Sequence, residues 1–309
     1  MSGASTAPGQ NLKKIIYAYD RKNTRFYIKD LAYRAVVGLV LLVPYRLRVP
    51  LFGWLLTWVL APLVRIKPRI RANLRFAYRD IDEADQTRIA NQACDNFGRL
   101  LIENLSARDF VRHARDTAMT GPGVGTLKAA LDNGKPVILV SGHFGNFQVG
   151  RTCLEQMGHP VASIYRPLNN GYTNVRYRDN LDLISGPNFP RGMKGTRDAL
   201  RHIKSGGILA LLIDQYSDEG EVLRFFDRPT RTVTSAADFS LRFDALLVPV
   251  FGVRRSDGRS FDLVVDEPIV HSDAATMIQT FNDRLEAQIR LHPGQWFWLH
   301  QRWKDTIGN

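Results

Sequence analysis

The 309 residues carry 44% hydrophobic side chains, which excludes a disordered chain and suffices for one large domain or a domain with an appendage. A formal charge of +12 and a pI near 9.9 demand an anionic partner: nucleic acid, an anionic membrane or an acidic substrate. Cys94 and Cys153 have neither metal-ligand spacing nor a disulfide framework, which points to a reducing, cytoplasmic-side setting.

Residues 1–30 read as a polar N-terminal segment without the apolar core and small-residue cleavage site of a secretory signal. Residues 31–79 form a basic and apolar region. Its two apolar stretches, 35–43 and 49–64, each fall short of the roughly 20 residues a membrane-crossing helix needs. Trp54 and Trp58, with Arg34, Arg46, Arg48, Arg65, Lys67, Arg69, Arg71 and Arg75 around them, indicate a helical pair lying in a membrane interface. The alternatives are a core helix pair of a soluble protein and a single complete span.

Residues 80–309 read as an α/β domain. Helical spacing covers 80–104, then a short helix at 126–133 stops at Gly134. The apolar run 137–140 is a strand that leads into the His143 turn, and a helix follows over 146–157. Further strands are expected at 161–165, 208–213, 246–253 and 261–265, the last two as a hairpin across Ser256-Asp257-Gly258. Further helices are expected at 196–204, 234–243 and 275–292. Strands alternating with helices predict a mostly parallel or mixed central sheet flanked by helices, preceded by the membrane-associating helical segment.

In such sheets ligands sit beyond the carboxyl ends of the strands, where His143, Arg166 and Asp214 all fall. His143 follows its strand between Gly142 and Gly145, and Gln148 stands five positions on, placed to aim an amide oxygen back at the imidazole. The serine-nucleophile turn Gly-x-Ser-x-Gly is absent, so a histidine base that takes a proton from a hydroxyl fits better. No metal is expected, because the seven histidines form no i,i+4 pair and the cysteines do not cluster. Arg166 can fork onto a phosphate or carboxylate, or pair on the surface. Residues 224–232 are basic and hydroxyl-rich, and read either as an anionic-group site containing Arg231 or as a solvated loop. Nucleic acid is disfavoured as a partner, since the basic residues flank tryptophan-bearing apolar stretches and no nucleic-acid motif occurs.

Four blocks in order give a resemblance. His143 to Gln148 occupies the spacing of a His-x4-Asp/Glu motif. Tyr165-Arg166-Pro167 with Asn169 or Asn170 forms the second block, and Asp214-Gln215 with Phe225-Phe226 and the small, hydroxyl-rich run Thr232 to Ala237 the third. Trp298-Leu299-His300-Gln301-Arg302-Trp303-Lys304 is the fourth, and Arg71-Ala72-Asn73-Leu74 precedes them all. Together they resemble the lauroyl/myristoyl transferases that act late in lipid A biosynthesis, within the lysophospholipid acyltransferase superfamily.

The resemblance implies transfer of a fatty acyl chain from acyl carrier protein, or from acyl-CoA, to a lipid hydroxyl at the cytoplasmic face of the inner membrane. The donor is then a substrate, and no cofactor is implied. His143 would be the general base with Gln148 at the acidic position, and Arg166, Asn169, Asp214, Gln215 and Arg231 would bind donor or acceptor. The acceptor would be a lipid A precursor, or alternatively a lyso-aminolipid or lysophospholipid. A glutamine at position 148 lacks the charge that favours imidazolium, so turnover should be weakened unless another carboxylate substitutes. An engineered substitution, a tolerated natural variant and a non-catalytic lipid-binding relative are the three explanations open for it.

Overall fold

A computed structural model describes residues 24–304; most of the polar N-terminal segment, 1–23, lies outside the described residues. The order of elements is α1 (Thr24–Leu41), α2 (Tyr45–Leu63), α3 (Ile66–Ala77), α4 (Glu83–Leu105), α5 (Ala107–His113), β1 (Ala118–Thr120) and α6 (Val124–Asp132). Then follow β2 (Val137–Ser141), α7 (Val149–Gln156), β3 (Val161–Tyr165), α8 (Gly171–Ile184), β4 (Asn188–Pro190) and α9 (Met193–Lys204). The remainder is β5 (Ile208–Leu212), β6 (Glu221–Phe225), β7 (Arg228–Thr232), α10 (Ser235–Phe243), β8 (Leu246–Arg254), β9 (Phe261–Val265) and α11 (Ala274–Leu291).

Seven strands form one sheet in the order β1-β9-β8-β2-β5-β3-β4, and only the β8–β9 pair is antiparallel. β2 is buried at all five positions, as a Val/Ile/Leu strand must be between parallel neighbours with both faces covered. One core layer packs Leu127 and Leu131 of α6 with Val149 and Leu154 of α7 against the sheet. The opposite layer packs Ala199 and Ile203 of α9, Phe281 and Leu285 of α11, and the C-terminal tryptophans. α4 reaches both layers, through Ala90 and Ile102, and starts where the Asp82 carboxylate caps it by accepting from Asp85 N–H at 2.6 Å.

The β8–β9 hairpin forms as expected, with the Asp257 carboxylate accepting the Arg259 and Ser260 amides in its turn. Residues 224–232 do not form a solvated loop. They lie in the antiparallel pair β6–β7, fastened by the buried Phe225 and Phe226 among Trp296, Trp298 and Trp303. α8 falls where no element was expected; it buries Val175, Leu181 and Ile184, and its start is set by Asn170, whose side chain accepts from the Tyr172 and Thr173 amides.

Among the described residues no single helix is long and apolar enough to cross a membrane, although α1 and α2 together would pass by length and composition, bent by 118°. These two helices keep large apolar side chains exposed, including Leu39, Leu42, Leu47, Trp54, Trp58 and Leu63. Lys67 lies over the Trp58 ring at 4.5 Å. α1 is tied to α8 through the buried Asp30, which accepts from Thr173 Oγ1 at 3.2 Å and pairs with Arg176 at 3.3 Å.

Candidate active site

β2, β5 and β3 are consecutive in the sheet, so their carboxyl ends bring His143, Asp214 and Arg166 to one edge. Asp214 is buried, and both its oxygens are used. Oδ1 faces His143 Nδ1 at 2.8 Å, and Oδ2 accepts from the His143 backbone N–H at 2.8 Å and from Trp296 Nε1–H at 2.9 Å. An ionised carboxylate can only accept, so the imidazole proton sits on Nδ1 and leaves Nε2 with its lone pair. The close approach requires glycine at 142, because a Cβ there would stand 2.9 Å from Asp214 Oδ2 and 3.0 Å from both Leu285 methyls.

Burial disfavours the His143 imidazolium, but the Asp214 charge and hydrogen bond outweigh it and hold the pKa above the ordinary imidazole value. Burial likewise works against an ionised Asp214, yet His143 and the Trp296 donor bring its carboxyl down to about 2. The His143 side chain remains 27% exposed, so this buried acid is joined to an accessible base. The arrangement can take a proton from an incoming hydroxyl and stabilise the imidazolium that results.

Gln148 does not make the contact expected of it. Gly145 turns the chain at a φ of +53°, and Gln148 enters the interior ahead of α7, where its amide oxygen accepts from Arg151 at 3.0 Å. Arg151 continues to the Val161 and Ser185 carbonyls and to Asn188 Oδ1, so position 148 organises the β3–β4 side of the sheet. The carboxylate at the imidazole comes from the third sequence block, not from the first.

Of the other expected site residues, Arg166, Asn169 and Gln215 are exposed on this edge. Arg231 lies in β7, donates to the Gly220 carbonyl at 3.1 Å, and accepts at its own carbonyl from the buried Arg302 at 2.9 Å. The C-terminal block works from beneath. Asn73 of α3 donates to the Trp298 and His300 carbonyls at 2.6 and 3.1 Å, and His300 Nε2 accepts the Tyr216 amide at 2.8 Å. Trp296 has the most direct effect on the site and was missed, because an indole holding a carboxylate 82 positions away leaves no local sequence signal.

A family model described as bacterial lipid A biosynthesis acyltransferase matches residues 19–305. A lipid A biosynthesis acyltransferase of Haemophilus influenzae is 19% identical over 268 residues, covering 85% of this chain and 83% of the relative. A lipid A biosynthesis lauroyltransferase of Escherichia coli is 24% identical, covering 76% and 78%. A phosphatidylinositol mannoside acyltransferase of Mycolicibacterium smegmatis is 25% identical over 182 residues, covering 57% and 60%.

Proposed function

The chain belongs to the family of bacterial lipid A biosynthesis acyltransferases, and from that premise we propose that His143 is the general base of its acyl transfer, with Asp214 as its carboxylate partner. His143 Nε2 removes the proton from an acceptor hydroxyl, and the oxygen attacks the carbonyl of a fatty acyl thioester. The tetrahedral intermediate expels the thiolate, which takes the proton back from the imidazolium. The observation that carries this reading is the 2.8 Å contact between His143 Nδ1 and Asp214 Oδ1 at the open edge of the sheet.

The donor is the acyl thioester of acyl carrier protein or acyl-CoA, and the acceptor a lipid A precursor; Arg166, Asn169 and Gln215, exposed on the same edge, bind the polar ends of these substrates. The exposed apolar side chains of α1 and α2, with Trp54, Trp58 and the exposed Arg34, Arg46, Arg65 and Arg69, support docking on an anionic membrane at the cytoplasmic face of the inner membrane, whereas Arg48 is buried and pairs with Asp109 at 2.6 Å.

Purified protein should be offered each donor in turn with a lipid A precursor, a phosphatidylinositol mannoside and a lysophospholipid in vesicles. Transfer to the lipid A precursor that vanishes in His143→Ala is the expected result. No transfer to any acceptor from either donor, or full activity in His143→Ala, sinks the reading. Comparing the lipids of a deletion strain with its parent then identifies the acceptor in the cell.

A further inference from the structure

Behind the catalytic loop lies a second buried charge pair with no part in the chemistry so far. Arg254, at the end of β8, holds Glu103 of α4 in a bidentate contact of 2.6 and 2.8 Å, and both residues are buried. Two asparagines extend this pair to the loop. Asn146 is completely buried and donates its amide to Glu103 Oε2 at 2.8 Å, while its oxygen accepts the Gln148 N–H at 3.0 Å. Asn96 accepts from Arg254 Nε at 2.9 Å and donates to the Gly145 and Gln295 carbonyls, each at 3.2 Å.

The connections end on both members of the dyad. Gly145 N–H bonds the Gln295 carbonyl at 2.8 Å, Asn146 N–H bonds the Gly252 carbonyl at 2.9 Å, and Phe297 N–H bonds the His143 carbonyl at 3.0 Å. The Gln295 side chain closes on the Arg254 backbone in both directions at 2.8 Å. The next residue, Trp296, is the donor to Asp214. One network therefore holds the loop carrying the imidazole and the indole that holds the carboxylate.

We infer that the Glu103–Arg254 pair, through Asn96 and Asn146, is a positioning device that sets His143 against Asp214. The inference rests on His143 being the base. A buried ion pair adds little net stability over an apolar core of the same shape, because desolvation offsets its attraction. What it adds is a single geometry: a planar fork, two carboxylate oxygens and two amides have one arrangement in which every group is satisfied. Glu103 and Arg254 touch no substrate and act only through the loop.

Asn146→Asp places a second carboxylate against Glu103 and should push the loop away. Its kcat should fall about tenfold or more, with KM for donor and acceptor within about twofold, as expected when a base is displaced but the binding surface is kept. The double variant Glu103→Gln, Asn146→Asp removes the second negative charge and restores an amide–carboxylate pair, but the new glutamine NH2 then faces the Arg254 Nη2 donor, so only part of the lost kcat should return. A generally weakened fold does not yield that recovery. Should Asn146→Asp not fold, Asn96→Ala cuts the tie to Gly145 and leaves the Glu103–Arg254 fork, and the same loss in kcat alone is expected. A kcat within about twofold of the parent in the single variants, or a double variant no better than Asn146→Asp, overturns the inference. Activity of the parent and its loss in His143→Ala test the base separately, so failure of one reading is distinguishable from failure of the other.

Discussion

Replacing Asp214 by asparagine is the most informative perturbation, because the donors around it decide which way the amide must sit. The Oδ2 position faces two fixed N–H groups, the His143 amide and the Trp296 indole. The asparagine oxygen has to take that place, since an NH2 group there would confront two donors. Its NH2 then faces His143 Nδ1 and donates to it, which moves the imidazole proton to Nε2. The base is blocked by its own tautomer, and the charge that supports imidazolium is gone. The analogous carboxylate-to-amide change in a serine-protease triad costs about 10⁴ in turnover, or about 5.5 kcal/mol at 1.36 kcal/mol per decade. We expect a loss of about 10³ to 10⁴ in kcat, measured as transfer of a labelled acyl chain to lipid, with the variant folded because both Oδ2 donors stay satisfied. The parent should lose kcat/KM as pH falls through the raised His143 pKa, above the ordinary value of about 6.5, where the base becomes protonated. In Asp214→Asn the residual activity should shift that limb to lower pH, since burial alone then acts on the imidazole. Retention of more than about a tenth of the parent kcat, or an unmoved acid limb, refutes the reasoning.

Gly142→Ala should force Asp214 and Leu285 apart, lowering kcat about a hundredfold and stability by about 1–3 kcal/mol; parent-like kinetics and an unchanged denaturation midpoint would contradict the packing argument. Gln148→Glu should give Arg151 a charged acceptor and raise stability by about 1 kcal/mol in chemical denaturation, while kcat stays within about threefold; a gain of more than about tenfold would return the orienting role to position 148. Trp54→Ser with Trp58→Ser should weaken binding to phosphatidylglycerol vesicles in sedimentation assays by about tenfold or more, leaving the salt dependence of the remaining binding, and equal binding by parent and variant removes α2 from the membrane-facing surface.

The sheet was legible because its strands announce themselves locally. The runs at β2, β3, β5 and β8 are apolar enough to be read as buried strands, and the glycines and hydroxyl residues that end the helices lie beside them in the chain. β1 and β4, at three residues each, are too short for any periodicity to register, and β6–β7 shows its aromatic anchor only once the C-terminal tryptophans are folded against it.

For the site, the sequence by itself determined which residues reach the edge: His143, Arg166 and Asp214 each follow a strand, and parallel pairing carries all three to the same end. Only the tertiary structure decided which of them touch. Gln148 was a natural partner for His143 by spacing, since five residues of strand-to-helix turn can double back. The left-handed turn at Gly145 sends it inward to Arg151, and Asp214, 71 positions away, takes the place beside the imidazole. A hydrogen bond depends on position in space to within tenths of an ångström, and local spacing specifies such positions only within one element. Contacts between elements are set by packing, which here runs through Trp296, Asn146 and a buried ion pair drawn from α4 and β8.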